Sequence, residues 1–192
     1  MILFFDTETN GLPADCQLSP YEPGAWPDVL QIAFQLIDPA LVATQYNPVV
    51  QESNLYIRQP KDFRFDKKAQ AVHNITQDQL DSGYDKEVAL HIFSEAMRKA
   101  NRVVAHNFDF DSAIIQANYY QMTMKEFYFE EKGFCTMKSQ EVIDFMGLKK
   151  WPRLSALYKK LFECDFDNAH NALNDVHALA KCYFQLVRKG II

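Results

Sequence analysis

Residues 2–13 read Ile-Leu-Phe-Phe-Asp-Thr-Glu-Thr-Asn-Gly-Leu-Pro, an apolar run that ends in two acidic residues. A short apolar run bounded by polar and turn-forming residues is typical of a buried central strand, so we predict a strand over 2–5. Because side chains alternate along a strand, Asp6 and Glu8 should lie on one face. Buried like charges repel and lose hydration, and a divalent cation would offset both costs. Taken alone, the pair is also explained as two ordinary acids at a strand end.

The rest of the chain predicts further strands and helices. Apolar segments predict strands over 29–37, 53–58 and 102–105. Helical spacing of apolar residues predicts helices over 66–73, 85–100, 111–122, 137–146, 154–162 and 171–188, and 76–82 is a turn or short helix. Irregular segments are expected over 13–28, which is rich in proline, and at the long connection near Asp38-Pro39. Strands followed by alternating helices and strands favour a single α/β domain over 1–192, with a mixed sheet.

The composition excludes several classes of protein. Of the 192 residues, 48% are hydrophobic, and 15 Phe and 9 Tyr supply too much burial for a disordered chain. No apolar run approaches the roughly 20 residues that span a bilayer, and the N-terminus lacks the features of a signal peptide. The cysteines form no C-x-x-C pair, so we expect reduced thiols in a cytoplasmic protein without a membrane partner. They are Cys16, Cys135, Cys164 and Cys182.

The net charge of −5 counts against a sequence-specific DNA-binding protein. It does not count against an enzyme that acts on nucleic acid, because bound metal ions offset the charge of clustered carboxylates.

A second acidic segment, His-Asn-Phe-Asp-Phe-Asp at 106–111, directly follows the predicted strand 102–105. Sites in α/β proteins form at the carboxyl ends of strands, where such a segment opens a helix. Spacing alone leaves Asp109 and Asp111 as equal candidates for a site residue.

A third acidic residue, Asp175, lies among apolar residues of the last predicted helix and therefore needs a partner. His170 precedes it by five residues, about 140° around a helix, so the two would not share a helical face. We expect His170 on the loop that enters the helix, with Asn171 as its N-cap. A lone histidine there could equally be a surface residue.

Together these residues resemble the DnaQ-like 3′–5′ exonucleases of DEDDh type, which include the epsilon subunit of bacterial DNA polymerase III, RNase T and the TREX nucleases. The motif D-x-E-T-x-G-L matches 6–12, H-N-x-x-F-D matches 106–111 and H-x-A-x-x-D matches 170–175. The second motif selects Asp111 rather than Asp109. Asn171 stands where the tyrosine-type branch of the family has Tyr, which favours the histidine branch.

A weaker family element, A-x-x-V-H-G-I-T, matches 69–76 except that Asn74 replaces Gly. The departure is mild, because Asn tolerates the left-handed backbone conformation better than most residues.

The resemblance implies a ribonuclease-H-like fold, with a mixed five-stranded sheet flanked by helices. It also implies release of nucleoside 5′-monophosphates from the 3′ end of single-stranded nucleic acid, with two Mg²⁺ or Mn²⁺ ions. By similarity, one ion is held by Asp6, Glu8 and Asp175, and Asp6 bridges to the second. Asp111 contacts the ions directly or through water, and His170 is the general base.

The resemblance also places residues near the 3′-terminal nucleotide. Gly11 allows close backbone approach, and Leu12 packs on the terminal base. Phe110 is equally a core residue, and Asn107 either positions substrate or orients its loop. The full set of candidate substrate-binding residues is Thr7, Thr9, Gly11, Leu12, His73, Asn107 and Phe110.

Positive charge and aromatic residues are interleaved just before the third motif, which suits a single-strand backbone and its bases. The alternative is a solvated helix face with Trp151 in the core. The segment contains Lys149, Lys150, Trp151, Arg153, Tyr158, Lys159 and Lys160.

Several functions remain open from sequence. The leading one is an exonuclease of proofreading or repair type acting on single-stranded DNA; the alternatives are an RNA-trimming exoribonuclease, an inactive nucleic-acid-binding module and a phosphohydrolase of small nucleotides. Proofreading would require a DNA polymerase partner, and we see no epsilon-like tethering tail after Ile192. A homodimer is an analogy only.

Overall fold

The computed structural model describes residues 1–42, 48–166 and 171–192, apart from the Glu130 side chain. Five strands form one sheet: β1 (Ile2–Thr9), β2 (Val29–Ile37), β3 (Val49–Tyr56), β4 (Arg102–Ala105) and β5 (Gly133–Cys135). The helices are α1 (Lys67–His73), α2 (Gln77–Asp81), α3 (Lys86–Lys99), α4 (Phe108–Thr123), α5 (Gln140–Met146), α6 (Leu154–Phe162) and α7 (Ala172–Arg188).

The sheet is mixed, in the order β3-β2-β1-β4-β5. β1 pairs antiparallel with β2, and β2 with β3, whereas β1–β4 and β4–β5 are parallel. This arrangement confirms the mixed five-stranded sheet that the sequence predicts.

The two faces of β1 pack against different helices, because its side chains alternate. Leu3 and Phe5 point into a core with residues of α3 and α4, such as Phe93 and Ile114. Phe4 points to the opposite face, where its ring contacts Tyr183 of α7 at 5.3 Å between centroids. β1 therefore runs between α4 and α7, and its alternation decides which residue meets which helix.

The first strand is longer than the predicted 2–5. Asp6 to Thr9 continue the ladder opposite β2, with Asp6 paired to Ala33 and Glu8 to Gln31. The acidic side chains thus lie within a paired central strand rather than beyond its end. Pairing with β2 extends the strand, and the local hydrophobic pattern does not predict this pairing.

Three other elements differ from prediction. β3 begins at Val49 rather than residue 53, and Ile57 forms only an isolated bridge to Tyr84. α4 begins at Phe108 rather than 111. β5 was not predicted at all, since three residues that include a glycine carry no recognisable strand pattern. The other helices match their predicted spans to within three residues.

The loop over 13–28 contains no helix or strand, as predicted. It is anchored by its own hydrogen bonds and by buried Trp26, whose indole Nε1 donates to the Leu18 carbonyl. At the Asp38-Pro39 connection, Asp38 caps a short 3₁₀ turn, and part of this connection, 43–47, lies outside the described residues.

All four cysteines are free thiols. Within the described ranges, no helix is both long enough and apolar enough to cross a membrane.

Candidate active site

The acidic residues of β1 lie on the strand face that meets α7. Asp6 and Glu8 follow Phe4 at intervals of two, so they point to the same side as Phe4. Asp175 lies in the first turn of α7, whose apolar residues Ala172 and Val176 pack against that face. Burial of this helix against the sheet therefore brings the third carboxylate to the other two.

The result is a compact cluster of carboxylates. Asp6, Glu8 and Asp175 each offer an oxygen within 4.8 Å of the others, and all three are half-buried. The cluster joins residues from near opposite ends of the chain, and packing between β1 and α7 alone accounts for it.

Asp111 approaches from the other side of β1. Thr7 alternates with the two acids and points towards α4, where its hydroxyl donates to Asp111 Oδ1 at 2.7 Å. The backbone N–H of Thr7 donates to the same oxygen at 3.1 Å. Asp111 is only 3% exposed, so these bonds hold a buried carboxyl group beside the cluster.

Asp109 is placed quite differently. Its side chain is 66% exposed and forms an ion pair with Lys138 Nζ at 2.5 Å. Of the two acids that spacing left equivalent, Asp111 is therefore the one that the fold buries against β1.

The carboxyl groups raise one another's pKa values. Burial raises the pKa of Asp6 well above its usual value, and the charges of the other three carboxylates raise it further. Burial and the charge of Asp175 raise the pKa of Glu8 to about 8. Burial raises the pKa of Asp111 to about 7, although the hydrogen bonds from Thr7 oppose the shift. Without a cation the cluster thus favours protonation near neutral pH.

The cluster fits a hard divalent cation. Such ions prefer carboxylate oxygens, and Mg²⁺ binds them at about 2.1 Å. The three carboxylate oxygens lie within 4.8 Å of one another, which is close to the largest distance between two ligand atoms bound to one ion. A bound cation would also remove the repulsion that raises these pKa values.

His170, the predicted general base, lies outside the described residues. Asn171 occupies the N-cap position of α7 with an extended backbone, but its side chain makes no capping hydrogen bond.

An open, mostly apolar pocket of about 440 Å³ adjoins the cluster through Glu8. It contains most of the predicted substrate-binding residues: Thr7, Thr9, Gly11, Leu12, His73 and Phe110. Leu12 is 83% exposed, so it presents an apolar surface at this pocket. Asn107, the remaining candidate, is not part of this lining; its backbone carbonyl accepts hydrogen bonds from the first turn of α4.

Thr7 lines the pocket, and its hydroxyl is engaged with Asp111, so it also positions that carboxyl group. Phe110 serves both of the uses that the sequence left open, because it lines the pocket and packs against Trp26 of the core at 6.0 Å.

His73 lines the pocket and contains a ring nitrogen that is unpaired within the described ranges. Its Nδ1 accepts a hydrogen bond from the Ile75 N–H at 2.9 Å, so the proton of the neutral ring is on Nε2. That nitrogen is buried and has no hydrogen-bond partner among the described residues. Burial also lowers the pKa of His73, which favours this neutral form. Asn74, after it, adopts the left-handed conformation with φ 55° that its place in the motif required.

Sequence reasoning missed the contribution of the α1 N-terminus to the pocket. Asp66, Lys68, Ala69 and Val72 also line it. Asn10 fixes this segment to the end of β1, because its side chain accepts from the Asp66 N–H at 2.8 Å and donates to the Arg64 carbonyl at 3.0 Å. The 69–76 element is the available signal, but it predicts only His73 as a substrate-binding residue.

The basic segment before the third motif divides into two parts. Tyr158 is buried and packs on Phe162, and Lys159 pairs with Asp165, so α6 presents a solvated helix face. The expectation that Trp151 lies in the core is wrong, because this residue is 57% exposed. It lies on the α5–α6 connection, where no apolar layer covers it.

Comparison with known proteins gives the family. The exonuclease family model, RNase T, matches residues 3–183. A comparison with curated protein sequences found no match.

Among solved structures, the chain is similar to E. coli exonuclease I, in its zinc-bound complex with single-stranded DNA, with a TM-score of 0.76 and 17% identity. That match covers 98% of this chain but 40% of the other, so the chain spans about two fifths of exonuclease I. It is also similar to a 3′-exonuclease in a structure of histone mRNA stem-loop recognition, with a TM-score of 0.74 and 16% identity over 99% of this chain and 82% of that one.

These likenesses confirm the ribonuclease-H-like fold that the sequence predicts. The family match begins in β1 and ends within α7, and so takes in the whole sheet and all four acidic residues of the site. The chain therefore belongs to the exonuclease family.

Proposed function

We propose that the protein is a metal-dependent 3′–5′ exonuclease that removes nucleoside 5′-monophosphates from single-stranded nucleic acid. The observation that carries this proposal is the convergence of Asp6, Glu8 and Asp175 within 4.8 Å, with Asp111 held beside them. Membership of the exonuclease family supports it. An inactive binding module would have no use for a half-buried acidic cluster that destabilises the fold unless a cation is bound.

Two divalent cations, Mg²⁺ or Mn²⁺, are the proposed cofactors. Asp6, Glu8 and Asp175 would hold one, Asp6 would bridge to the second, and Asp111 would contact them directly or through water. When bound, such ions polarise the scissile phosphate and make water a stronger nucleophile at neutral pH.

The chain's own residues position the substrate and the acidic side chains. Thr7 fixes the orientation of Asp111 through two hydrogen bonds to one carboxyl oxygen. The pocket beside Glu8 would receive the 3′-terminal nucleotide, with Leu12 against the base and the free Nε2–H of His73 as a hydrogen-bond donor.

We assign the role of general base to His170 from its place in the third motif. An imidazole with an ordinary pKa of about 6.5 accepts a proton efficiently near neutral pH. We expect His170→Ala to lower kcat by about 10²–10⁴-fold while leaving Mn²⁺ affinity unchanged. Asp175→Asn is the matched variant that should lose Mn²⁺ affinity as well, and an equal loss of affinity in His170→Ala would contradict the assignment.

Single-stranded DNA is our first candidate substrate, in a proofreading or repair role, and RNA is the alternative. The similar structures include a complex with single-stranded DNA and one of histone mRNA stem-loop recognition, so both polymers are tested together.

The test is a gel assay with 5′-labelled DNA and RNA oligonucleotides of the same sequence, in Mg²⁺, Mn²⁺ or EDTA. We expect a ladder that shortens from the 3′ end, requires the metal and disappears in Asp6→Asn. Asp85→Asn is the matched control, because Asp85 is an exposed acid paired with Arg58. No cleavage, internal cleavage, or full activity of Asp6→Asn would overturn the proposal.

A further inference from the structure

Trp151 is exposed in a way that packing does not explain. It is 57% exposed, whereas the other tryptophan, Trp26, is 7% exposed and contributes to the core. Tryptophan is highly buried on average, so a largely exposed indole on a connection indicates a contact surface.

The surroundings of Trp151 are basic. Lys138 Nζ lies 4.6 Å from the centroid of the indole ring, and Lys149 and Lys150 precede it with exposed side chains. A groove of about 510 Å³ runs beside the indole, and the residues that line it include both of these lysines and no acid. The combination of an open aromatic face and several ammonium groups is complementary to a polyanion with stacking bases.

The fold ties this surface to the elements that surround the acidic cluster. Lys138 pairs with Asp109, which lies in the same first turn of α4 as Asp111. The residue after Trp151 is also fixed, since the Pro152 carbonyl accepts a hydrogen bond from His106 Nε2 at 3.0 Å. His106 directly follows β4, the strand parallel to β1, so the indole is attached to the site edge of the sheet.

His106 is held as a neutral ring in this connection. Because a carbonyl only accepts, Nε2 carries the proton, and Nδ1 then accepts from the Thr136 hydroxyl at 2.9 Å. Both ring nitrogens are occupied, so this histidine anchors the α5–α6 connection to the ends of β4 and β5.

We propose that Trp151, with Lys138, Lys149 and Lys150, forms a second single-strand contact, at which a base upstream of the 3′-terminal nucleotide stacks on the indole and backbone phosphates meet the ammonium groups. This inference rests on the proposed function, and it adds the path that the single-stranded nucleic acid follows on the protein. The pocket at Leu12 and His73 adjoins the acidic cluster through Glu8, and the surface at Trp151 is tied to the first turn of α4 through Lys138 and Asp109.

Intrinsic fluorescence tests this directly, because the chain has only two tryptophans. The titrants are DNA and RNA 12-mers with phosphorothioate linkages at the 3′ end, so that the strand stays intact, and a dinucleotide for comparison. We expect saturable quenching by the 12-mers, little by the dinucleotide, and none in Trp151→Leu, which retains buried Trp26. Quenching that persists in Trp151→Leu, or binding of the 12-mers without quenching, would overturn the proposal, and so would absence of binding.

Affinity provides the second readout. Loss of one stacked base weakens binding about tenfold to a hundredfold, so Trp151→Leu should bind the 12-mers that much more weakly, whereas Trp151→Phe should recover most of the loss. Lys149→Gln and Lys150→Gln should each reduce the slope of log affinity against log salt by about one. Tyr128→Leu is the matched control, because Tyr128 is 64% exposed and lies beyond the opposite end of α4. A loss of affinity in Tyr128→Leu equal to that in Trp151→Leu would contradict the assignment.

Cleavage of the unmodified dinucleotide by the intact enzyme separates the two proposals. If the dinucleotide is cleaved but the 12-mers do not quench Trp151, the exonuclease stands and the second contact fails. If the 12-mers quench Trp151 but no substrate is cleaved, the contact stands and the proposed function fails.

Discussion

Glu8 and Asp111 illustrate how a site can destabilise its own fold. Their pKa values, raised to about 8 and about 7, mean that the folded chain binds protons more tightly than the unfolded chain. Between the unfolded and folded pKa values the folded state carries more protons, so the free energy of unfolding falls as the pH rises. Buried His106, with its pKa lowered to about 4, acts in the opposite direction below about pH 6.5.

We therefore expect stability in EDTA to fall from about pH 6.5 to 8, a window set by these pKa values. Urea unfolding at several pH values measures it. Glu8→Gln should flatten the dependence, and saturating Mg²⁺ should reverse it by stabilising the ionised carboxylates. Stability that rises across this window in EDTA would contradict the electrostatic description.

Thr7 has a contact that the sequence did not predict, because it donates two hydrogen bonds to Asp111. The motif suggested a substrate contact, but alternation along β1 directs its hydroxyl to Asp111. Groups that orient metal-binding side chains typically contribute 10–100-fold to activity or metal affinity.

Thr7→Val keeps the shape of the side chain and removes the hydroxyl, so we expect about a 10–100-fold loss of kcat or Mn²⁺ affinity. Thr7→Ser retains the donor and should recover most of it. Steady-state kinetics on an oligonucleotide and Mn²⁺ titration measure both. A rise in KM alone, with kcat and Mn²⁺ affinity unchanged, would return Thr7 to a substrate-binding role.

At the scale of elements, β5 shows why a strand escaped prediction. Gly133 lies in a three-residue strand whose pairing with β4 defines it. A Cβ at this position would lie 2.5 Å from the Phe108 ring, which packs edge-on against Phe5 and Phe129. The close approach of the Phe108 ring of α4 therefore favours glycine at this position, which local sequence does not reveal.

Gly133→Ala should destabilise the protein by about 1–3 kcal/mol, because it overpacks this contact. Chemical denaturation gives the free energy of unfolding. In a Phe108→Leu background the additional cost should be smaller, since the smaller side chain can move away. The same cost in both backgrounds would show that the ring is not the obstacle.

The elements that were predicted share a local signal. The apolar run of β1 and the helical spacing of α7 are readable in sequence, and so is the placement of Asp6 and Glu8 on one face. Burial distinguishes two acidic residues that sequence spacing left equivalent. Asp109 and Asp111 are both in the first turn of α4, but only one faces β1. The α1 side of the pocket depends on Asn10 joining two distant segments, a contact that no periodicity indicates.

At the scale of the whole molecule, the mixed sheet is what assembles the site. Antiparallel β2 and parallel β4 flank β1, which places β1 in the centre of the sheet. Helices from the middle and the end of the chain pack on the two opposite faces of this strand. One face brings Asp175 to Asp6 and Glu8, and the other brings Asp111 to Thr7. Three motifs spread along the chain therefore meet on a single strand.

We expect this meeting point to be a divalent metal site. Anomalous diffraction from Mn²⁺-soaked crystals at the manganese absorption edge tests it most directly. We expect anomalous density bounded by the carboxyl oxygens of Asp6, Glu8 and Asp175. Density with other ligands, or no density at this cluster in saturating Mn²⁺, would contradict the claim.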